Sequence, residues 1–302
     1  MNSKDEARHS SLIETKTYVT GKNSVWSANL IFSGDFSTYN LKLDAIELNK
    51  QKSIAILLGF TIDKSNKETL LVRDLLFIMP AIQSWANQPA NNRPDIKAAA
   101  TIAESLLPLL EDTILLSKAK AMAQILTDNP TIVDPQFVPA ARQTSFLINI
   151  TKYEDVIQMP ETKIDERATH TSLMVDGIKD ALKFRKDPFL IDVKLFRESN
   201  PDFFLGFKQS MKIDNNPTSK LALKGLISDE TTGIFIPNVS ILVANLDKTA
   251  KSGKKGNYLI KSLPPGQYTV LFTKFGYQPL QKTIFINAGE RTDLNIKLIK
   301  IV

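Results

Sequence analysis

Four lysines that lie close together near the C-terminus are the residues best placed to bind a ligand. Lys248, Lys251, Lys254 and Lys255 concentrate positive charge in a short stretch, and Tyr277 adds an aromatic ring further along the chain. Such a set can attract phosphate, an anionic glycan or another anionic surface, and a tyrosine ring can stack on a sugar. The same lysines can instead be solvated turn residues that keep the edge strands of a sheet soluble. Binding through the lysines should weaken steeply with salt, whereas glycan stacking should survive salt and be lost in Tyr277→Ala.

The net positive charge of the chain belongs to this C-terminal part alone. Residues 1–219 hold 26 Lys and Arg against 27 Asp and Glu, whereas residues 220–302 hold 12 against 5, which gives the whole chain its net charge of +6. A basic segment beside a neutral one favours an acidic partner for the basic segment. We expect a protein or a glycan as the partner, and we do not expect nucleic acid.

Residue types that commonly catalyse reactions are sparse in this sequence. There is no cysteine, and neither His9 nor His170 has a second histidine three or four residues away, so a helical zinc motif is absent. The glycine patterns of phosphate loops, dinucleotide sites and nucleophile elbows are absent as well. Carboxylates such as Asp165 and Glu166 are adjacent and therefore point to different helix faces. We predict no catalytic residue, no cofactor and no metal; an enzyme with an unrecognised site in the helical part is an alternative.

Apolar residues at helical spacing run through residues 1–214. The clearest apolar face steps by four and three residues and consists of Leu71, Leu75, Ile78, Ile82 and Trp85. Gly59 predicts the end of the preceding helix, and Thr61 is expected to cap the helix that carries this apolar face. Pro80 lies within that helix and predicts a kink. Two short helices are expected to open at Pro188 and Pro201, and longer helices are expected at about 6–20, 37–58, 61–86, 95–110, 115–126, 135–158 and 162–185. Short loops between them predict an antiparallel helical bundle, although the apolar stripes could also be seams for a partner helix.

This helical part resembles a bacterial all-α family of unknown activity. The resemblance rests on Trp26-Ser27 with Phe32, on the run from Gly59 to Lys64, and on a helix that continues from Arg73 to Ala86. It covers roughly residues 1–212 and implies no particular activity.

From Leu221 onwards the sequence changes to short β-type runs that are cut by turn residues. Gly233, Pro264-Pro265 and Gly276 mark turns or bends. The expected strands are 221–229, 239–244, 257–262, 267–275, 281–287 and 293–299. Six or seven short strands at this spacing predict a small β-sandwich.

The same stretch resembles the carboxypeptidase regulatory-like domain, which has a transthyretin-like or starch-binding-like β-sandwich fold. The matching pieces are, in order, Lys224–Asp229, Thr232-Gly233, Ile236–Val239, Gly256–Tyr258, Leu263–Tyr268, Phe275–Tyr277 and Leu294–Leu298. The family usually carries Thr-Asp before its Gly-x-Tyr strand, whereas this chain has a basic turn around Lys254-Lys255. The resemblance implies a folding or interaction accessory without catalytic residues, with carbohydrate contact in only some relatives.

These observations predict a multidomain α plus β protein, with an antiparallel helical bundle at 1–214, a linker at 215–220 and a transthyretin-like β-sandwich at 221–302. We expect a non-catalytic scaffold or interaction protein, and the alternative is a module that binds glycans or anionic surfaces through the lysines and Tyr277. No apolar run approaches the roughly 18–20 residues that span a bilayer. The stretch from Met1 to His9 lacks the apolar core of a secretory leader. We therefore expect the cytoplasm, or the cell envelope if a leader has been removed from the natural protein.

Overall fold

The structure, a computed structural model, describes residues 3–213, 223–263, 266–287 and 291–301. Helices occupy the N-terminal part and strands the C-terminal part, which confirms the predicted order. Shorter helical turns cover Glu104–Leu109, Pro130–Ile132, Arg185–Phe189 and Lys194–Phe196. The α-helices of the described residues are α1 (Ser3–Thr20), α2 (Asn23–Trp26), α3 (Leu30–Ala86), α4 (Pro94–Ala99), α5 (Asp112–Asp128), α6 (Ala140–Glu154), α7 (Glu161–Phe184), α8 (Leu190–Val193) and α9 (Pro201–Ser210).

Helix α3 runs without interruption through the point where the sequence predicts two helices to meet. The expected end at Gly59 and the cap at Thr61 are wrong, because both residues lie inside the helix. A Cβ placed on Gly59 would meet no heavy atom within 4 Å, so neither a turn nor a close contact requires glycine there. One interior glycine costs a helix only about 1 kcal/mol, and burial of the apolar residues on both sides outweighs that cost. Pro80 also lies inside α3, which continues to Ala86.

Prolines also bear on two other predicted helices, one of which differs from the prediction. The helix expected at 95–110 is divided into α4 and a 3-10 helix that contains Pro108. Proline has no N–H to donate to the preceding turn, which favours a short element over a long α-helix. The short helix predicted to open at Pro188 is confirmed, because Asp187 is extended (φ −156°, ψ 115°) and the helical residues that lead into α8 begin again after it.

The chain is divided into two compact units, and each is built from separate stretches of sequence. The first comprises Met1–Leu58, Thr162–Phe272 and Leu280–Lys300; the second comprises Gly59–Glu161, Thr273–Pro279 and Ile301–Val302. The predicted linker at 215–220 lies outside the described residues. The predicted domain boundaries, 1–214 and 221–302, do not coincide with these units and stay a prediction.

Aromatic side chains form the helical core of the first unit. The ring of Phe32 lies 5.0 Å from that of Phe189, 5.4 Å from Phe196 and 5.7 Å from Phe203. Trp26 packs on the same ring at 5.4 Å, and all five side chains are buried. The phenylalanine-rich segment after α7 therefore completes a core that begins with α2 and α3.

Helices α3 and α7 of this unit are antiparallel neighbours. Lys42 pairs with Asp180 at 2.5 Å, and one helical stretch further along α3, Asn49 lies 2.9 Å from His170 on α7. The sequence numbers rise on one helix while they fall on the other, as in an antiparallel bundle. His170 is thus a polar contact between two helices.

The second unit is built on the apolar face that the sequence shows most clearly. Leu71, Leu75, Ile78 and Ile82 are fully buried, and Trp85 is nearly so. Their partners come from α4, α5, α6 and the connections between them: Ile96, Leu107, Leu115, Met122, Leu126, Phe146, Ile150 and Tyr153. The prediction that this stripe packs within the chain is confirmed.

The C-terminal part is a β-sandwich of two four-stranded sheets. In the first sheet β1 pairs antiparallel with β4 on one side and parallel with β7 and β8 on the other; the second sheet has the order β3-β2-β5-β6. Gly233 and Gly276 adopt positive φ angles of 71° and 76°, as their turn roles require, whereas Pro264 and Pro265 lie outside the described residues. The strands are β1 (Leu223–Asp229), β2 (Ser240–Val243), β3 (Lys248–Lys251), β4 (Asn257–Ile260), β5 (Gly266–Thr273), β6 (Leu280–Ile286), β7 (Thr292–Asp293) and β8 (Ile296–Leu298).

A close backbone approach at Gly225 interrupts the last predicted strand. The run expected at 293–299 is two strands, because Leu294 bends towards β1 between them. Leu294 donates its N–H to the carbonyl of Lys224 at 2.8 Å, and its own carbonyl accepts the hydroxyl of Tyr258 at 2.7 Å. A Cβ on Gly225 would overlap the Leu294 carbonyl oxygen. Glycine is therefore required at this position, and Tyr258 ties the corner by the phenolic hydrogen bond that its ring can provide.

Candidate functional site

The four predicted lysines lie in and after an edge strand that the sequence does not reveal. Lys248 and Lys251 are the first and last residues of β3, which pairs antiparallel with β2, while Lys254 and Lys255 occupy the turn before β4. The expectation that all four lie in turns is wrong for Lys248 and Lys251. Their strand is an edge of the second sheet, where lysine discourages pairing with other chains.

The strand geometry divides this lysine set. Lys248 and Lys251 are three residues apart on a strand, so their side chains leave opposite faces of the sheet. Lys248 donates from Nζ to the backbone carbonyl of Lys261, which fixes its head group. Lys251, Lys254 and Lys255 are exposed, and none of them forms an ion pair with a carboxylate of the described residues. These three, without Lys248, are what remains available to an anion.

Tyr277 lies in the connection between β5 and β6. That connection, Thr273–Pro279, belongs to the second compact unit, whereas the lysines belong to the first. Phe275 of the same connection packs against the apolar core of the second unit, and the carbonyl of Gly276 accepts the N–H of Ile301 at 2.8 Å. Tyr277 is half-buried and has interactions of its own.

Strand β2 of the second sheet is buried on both faces. Ile241, Leu242 and Val243 are consecutive on β2 and at most 6% exposed, and consecutive strand residues point to opposite faces. Helices of the first unit reach this region. Arg167 of α7 forms an ion pair with Asp247 at 3.3 Å, and burial together with the charge of Glu6 raises the pKa of Tyr268 on β5.

The first sheet, in contrast, leaves apolar side chains in solvent on one face. Leu226 of β1 is 39% exposed, Leu259 of β4 is 48% exposed and Phe235 is 49% exposed. The register places Leu259 opposite Lys224 and Phe235 opposite Ser228, so both flank Leu226 diagonally on the same side of the sheet. We call this surface the outer face. The sequence analysis did not predict this surface. The signal that could have revealed it is that Leu226 and Leu259 are apolar at strand positions that alternate with the core-facing ones, where polar residues are expected.

Helix α1 carries a cluster of buried ionisable side chains whose hydrogen-bonding groups are only partly paired. Glu6 and His9 are 5% and 6% exposed, and Lys50 of α3 lies 3.9 Å from the Glu6 carboxylate. Burial raises the pKa of Glu6, whereas burial and then Lys50 lower the pKa of His9 to about 4. Glu6 Oε1 and His9 Nε2 are buried without a hydrogen-bond partner. The cluster is costly to keep, and it makes stability depend on pH.

Arg185 ties α1 to the chain that follows α9. It is 2% exposed, and its Nη1 donates to the carbonyl and hydroxyl of Ser11 and to the hydroxyl of Thr15 at 2.8–2.9 Å. Its Nη2 donates to the carbonyl of Met211 at 3.2 Å. Within the described ranges no carboxylate forms an ion pair with it, and burial lowers its pKa. Both terminal nitrogens of the guanidinium thus donate to backbone and hydroxyl acceptors, which is a structural role, while Nε is buried without a partner.

Polar groups in the second unit pair with one another in the same way. The Tyr153 hydroxyl donates to Asp112 at 2.8 Å, and Lys64 bonds the other oxygen of that carboxylate. Burial, together with Asp112, raises the pKa of Tyr153. Tyr153 therefore stays protonated as a hydrogen-bond donor, so this group joins α3, α5 and α6.

Comparison with known proteins identifies the sandwich. Residues 222–299 match the family model of the carboxypeptidase regulatory-like domain. No curated protein matches the chain. The described ranges contain no grouping of His, Cys, Asp and Glu suited to a metal ion, and none of their helices has the length and apolar character needed to cross a bilayer. The resemblance of residues 1–212 to a bacterial all-α family stays a prediction. The C-terminal β-sandwich of this chain is therefore a carboxypeptidase regulatory-like domain, a non-catalytic type of domain, and it follows a helical N-terminal region.

Proposed function

We propose that this chain is a non-catalytic interaction protein whose β-sandwich binds a protein partner through the outer face. The observation that carries the proposal is the exposure of Leu226, Phe235 and Leu259 side by side on one sheet. Contiguous apolar side chains in solvent are typical of contact surfaces, because their burial by a partner is favourable. The second sheet presents no such group, since β2 is buried on both faces and the large apolar side chain that its described strands expose is the isolated Phe285 of β6.

Photo-crosslinking in the source cells tests this proposal directly. A benzophenone amino acid replaces Leu226, Leu259 or, as the matched control, Phe285, which is 67% exposed on β6 of the second sheet. Irradiation should give one discrete heavier species from positions 226 and 259 and none from position 285. Equal labelling from all three positions, or no adduct from the outer face, would refute the proposal.

A second candidate, binding of an anionic polymer, is favoured by one observation. Lys251, Lys254 and Lys255 are exposed and form no ion pair with the described carboxylates. Heparin affinity measured across a salt series tests it, with glutamine at these three positions as the variant. Retention on heparin that falls steeply with salt and disappears in the variant would support this candidate. Retention that changes neither with salt nor with the glutamine substitutions would exclude it.

A further inference from the structure

The outer face has an apolar centre with lysines on both sides of it. Leu226 lies at the centre, with Asn257 opposite and Leu259 and Phe235 at the two diagonals. On the other side of β1, Ser228 is paired with Lys297 of β8, so Lys297 lies on the same face of the sheet. The apolar area is therefore flanked by a cation towards β8.

The side towards β4 is basic as well. Lys254 and Lys255 are exposed in the turn that leads into Asn257 of β4. Beyond this turn, the place beside β1 is taken by Phe235, which pairs with Ser228. The carboxylate of Asp293 is already paired, at 3.2 Å with Arg291 and at 3.8 Å with Lys224. Acidic side chains on this face are thus outnumbered and partly neutralised, in keeping with the 12 basic against 5 acidic residues of segment 220–302.

The dimensions of the outer face limit what can bind there. Neighbouring strands are about 4.8 Å apart, and alternate residues along a strand about 6.6 Å apart. Leu226 with its two diagonal neighbours therefore spans roughly 13 Å along the strands, which is room for two or three apolar side chains of a ligand. This fits a short extended segment better than a broad globular surface, which would need about 800 Å² on each partner.

We infer that the partner of the outer face is an acidic extended protein segment, in which apolar side chains lie over Leu226 and carboxylates face the flanking lysines. This inference rests on the proposed function and adds the chemical class of the partner. Apolar contact at the centre supplies affinity, whereas charge complementarity at the rim sets the encounter rate and excludes basic segments.

Fluorescence anisotropy with three labelled peptides tests the inference on the full chain. The probes are a peptide of alternating Val and Glu, one of alternating Val and Lys, and one of alternating Ser and Glu, all of equal length. The Val–Glu peptide should bind at least about tenfold more tightly than either of the others, because only it satisfies both the apolar centre and the basic rim. Its affinity should fall with salt, but only in part.

Matched variants locate the binding. Leu226→Ser and Leu259→Ser should each weaken the Val–Glu peptide about fivefold or more, Lys297→Gln should weaken it and flatten the salt dependence, and Phe285→Ser should change nothing. Circular dichroism of each variant confirms that the sandwich stays folded, since all four side chains are solvent-exposed.

The outcomes separate the inference from the function on which it rests. Equal binding of the Val–Lys and Val–Glu peptides would overturn the acidic class while leaving protein contact at the outer face intact. Equal binding of the Ser–Glu peptide would show that the lysines act alone, as a polyanion site. Failure of all three peptides, together with crosslinking at positions 226 and 259, would overturn only the inference; failure of both experiments would overturn the function.

Discussion

Replacing Gly225 by alanine should unfold the first sheet locally, and the structure allows the size of the effect to be estimated. A Cβ there would lie 2.6 Å from the carbonyl carbon of Leu294 and overlap its oxygen, whereas real Cβ atoms essentially never come within 3.0 Å of a neighbour. The obstacle is backbone, so Leu294 has to move away from β1.

That movement breaks hydrogen bonds that can be counted. Leu294 would lose its bonds to Lys224 and Tyr258, and the adjacent Asn295 side chain would lose the N–H of Leu226, now 3.0 Å away. At about 1 kcal/mol for each bond, Gly225→Ala should destabilise the sheet by about 3 kcal/mol before any strain is added.

Hydrogen exchange followed by mass spectrometry is the suitable assay, because it reports the opening of individual strands. Amides of β1 and β4 should exchange about 100-fold faster in Gly225→Ala. Gly59→Ala is the matched control. It has no atom within 4 Å of the new Cβ, so it should stabilise α3 by about 1 kcal/mol and leave β1 unchanged. Identical exchange of β1 in Gly225→Ala and the wild type would refute the reasoning.

Three further predictions concern ionisable side chains that lie wholly or partly out of solvent. Arg185→Met should lower the free energy of unfolding by about 3 kcal/mol, because four hydrogen bonds from a charged donor are lost. Lys183→Met, at an exposed position on α7, should change it by less than about 0.5 kcal/mol, and urea denaturation compares the two. Because burial lowers the pKa of His9 from 6.5 to about 4, the free energy of unfolding should fall as the pH drops through that range, by about 3 kcal/mol at most. Urea titrations of His9→Gln should not show this loss. Burial and then Asp192 raise the pKa of Asp35 from 3.8 to about 6, so stability should fall as the pH rises through that range; Asp35→Asn should exceed the wild type by about 1 kcal/mol above pH 6 and match it near pH 4. Equal urea midpoints of variant and wild type across pH would contradict either assignment.

The sequence was a sufficient guide to elements whose cause is local. The stripe from Leu71 to Trp85 specifies its own helix and its own buried face, and the glycine turns of the sandwich specify their own backbone angles. The helix end expected at Gly59 failed, because a weak local preference yields to burial along a long helix. Strand β3 was missed because Lys248-Thr249-Ala250-Lys251 has no apolar alternation; it becomes a strand by pairing with β2, a non-local event.

The candidate site shows the same division between local and non-local causes. The four lysines are visible as composition, but only the strand pairing shows that Lys248 and Lys251 leave opposite faces of β3. The outer face depends on register between β1, β4 and the bridge at Phe235, and register cannot be read from single strands of mixed polarity. Leu226 therefore looks like an ordinary strand residue until its neighbours are placed beside it.

The discontinuous first unit has a consequence for synthesis of the protein on the ribosome. The hydroxyl of Ser11 donates to the carbonyl of Met211, so this hydrogen bond cannot form until 200 further residues have been synthesised. At translation rates of about 5–20 residues per second, that interval is roughly 10–40 s. During this time the second unit's helices have already emerged, while the core that α1 shares with α2 and α3 still lacks its late phenylalanines, Phe189, Phe196, Phe203 and Phe207. A chaperone that holds the nascent N-terminus would be most useful to this chain in that interval.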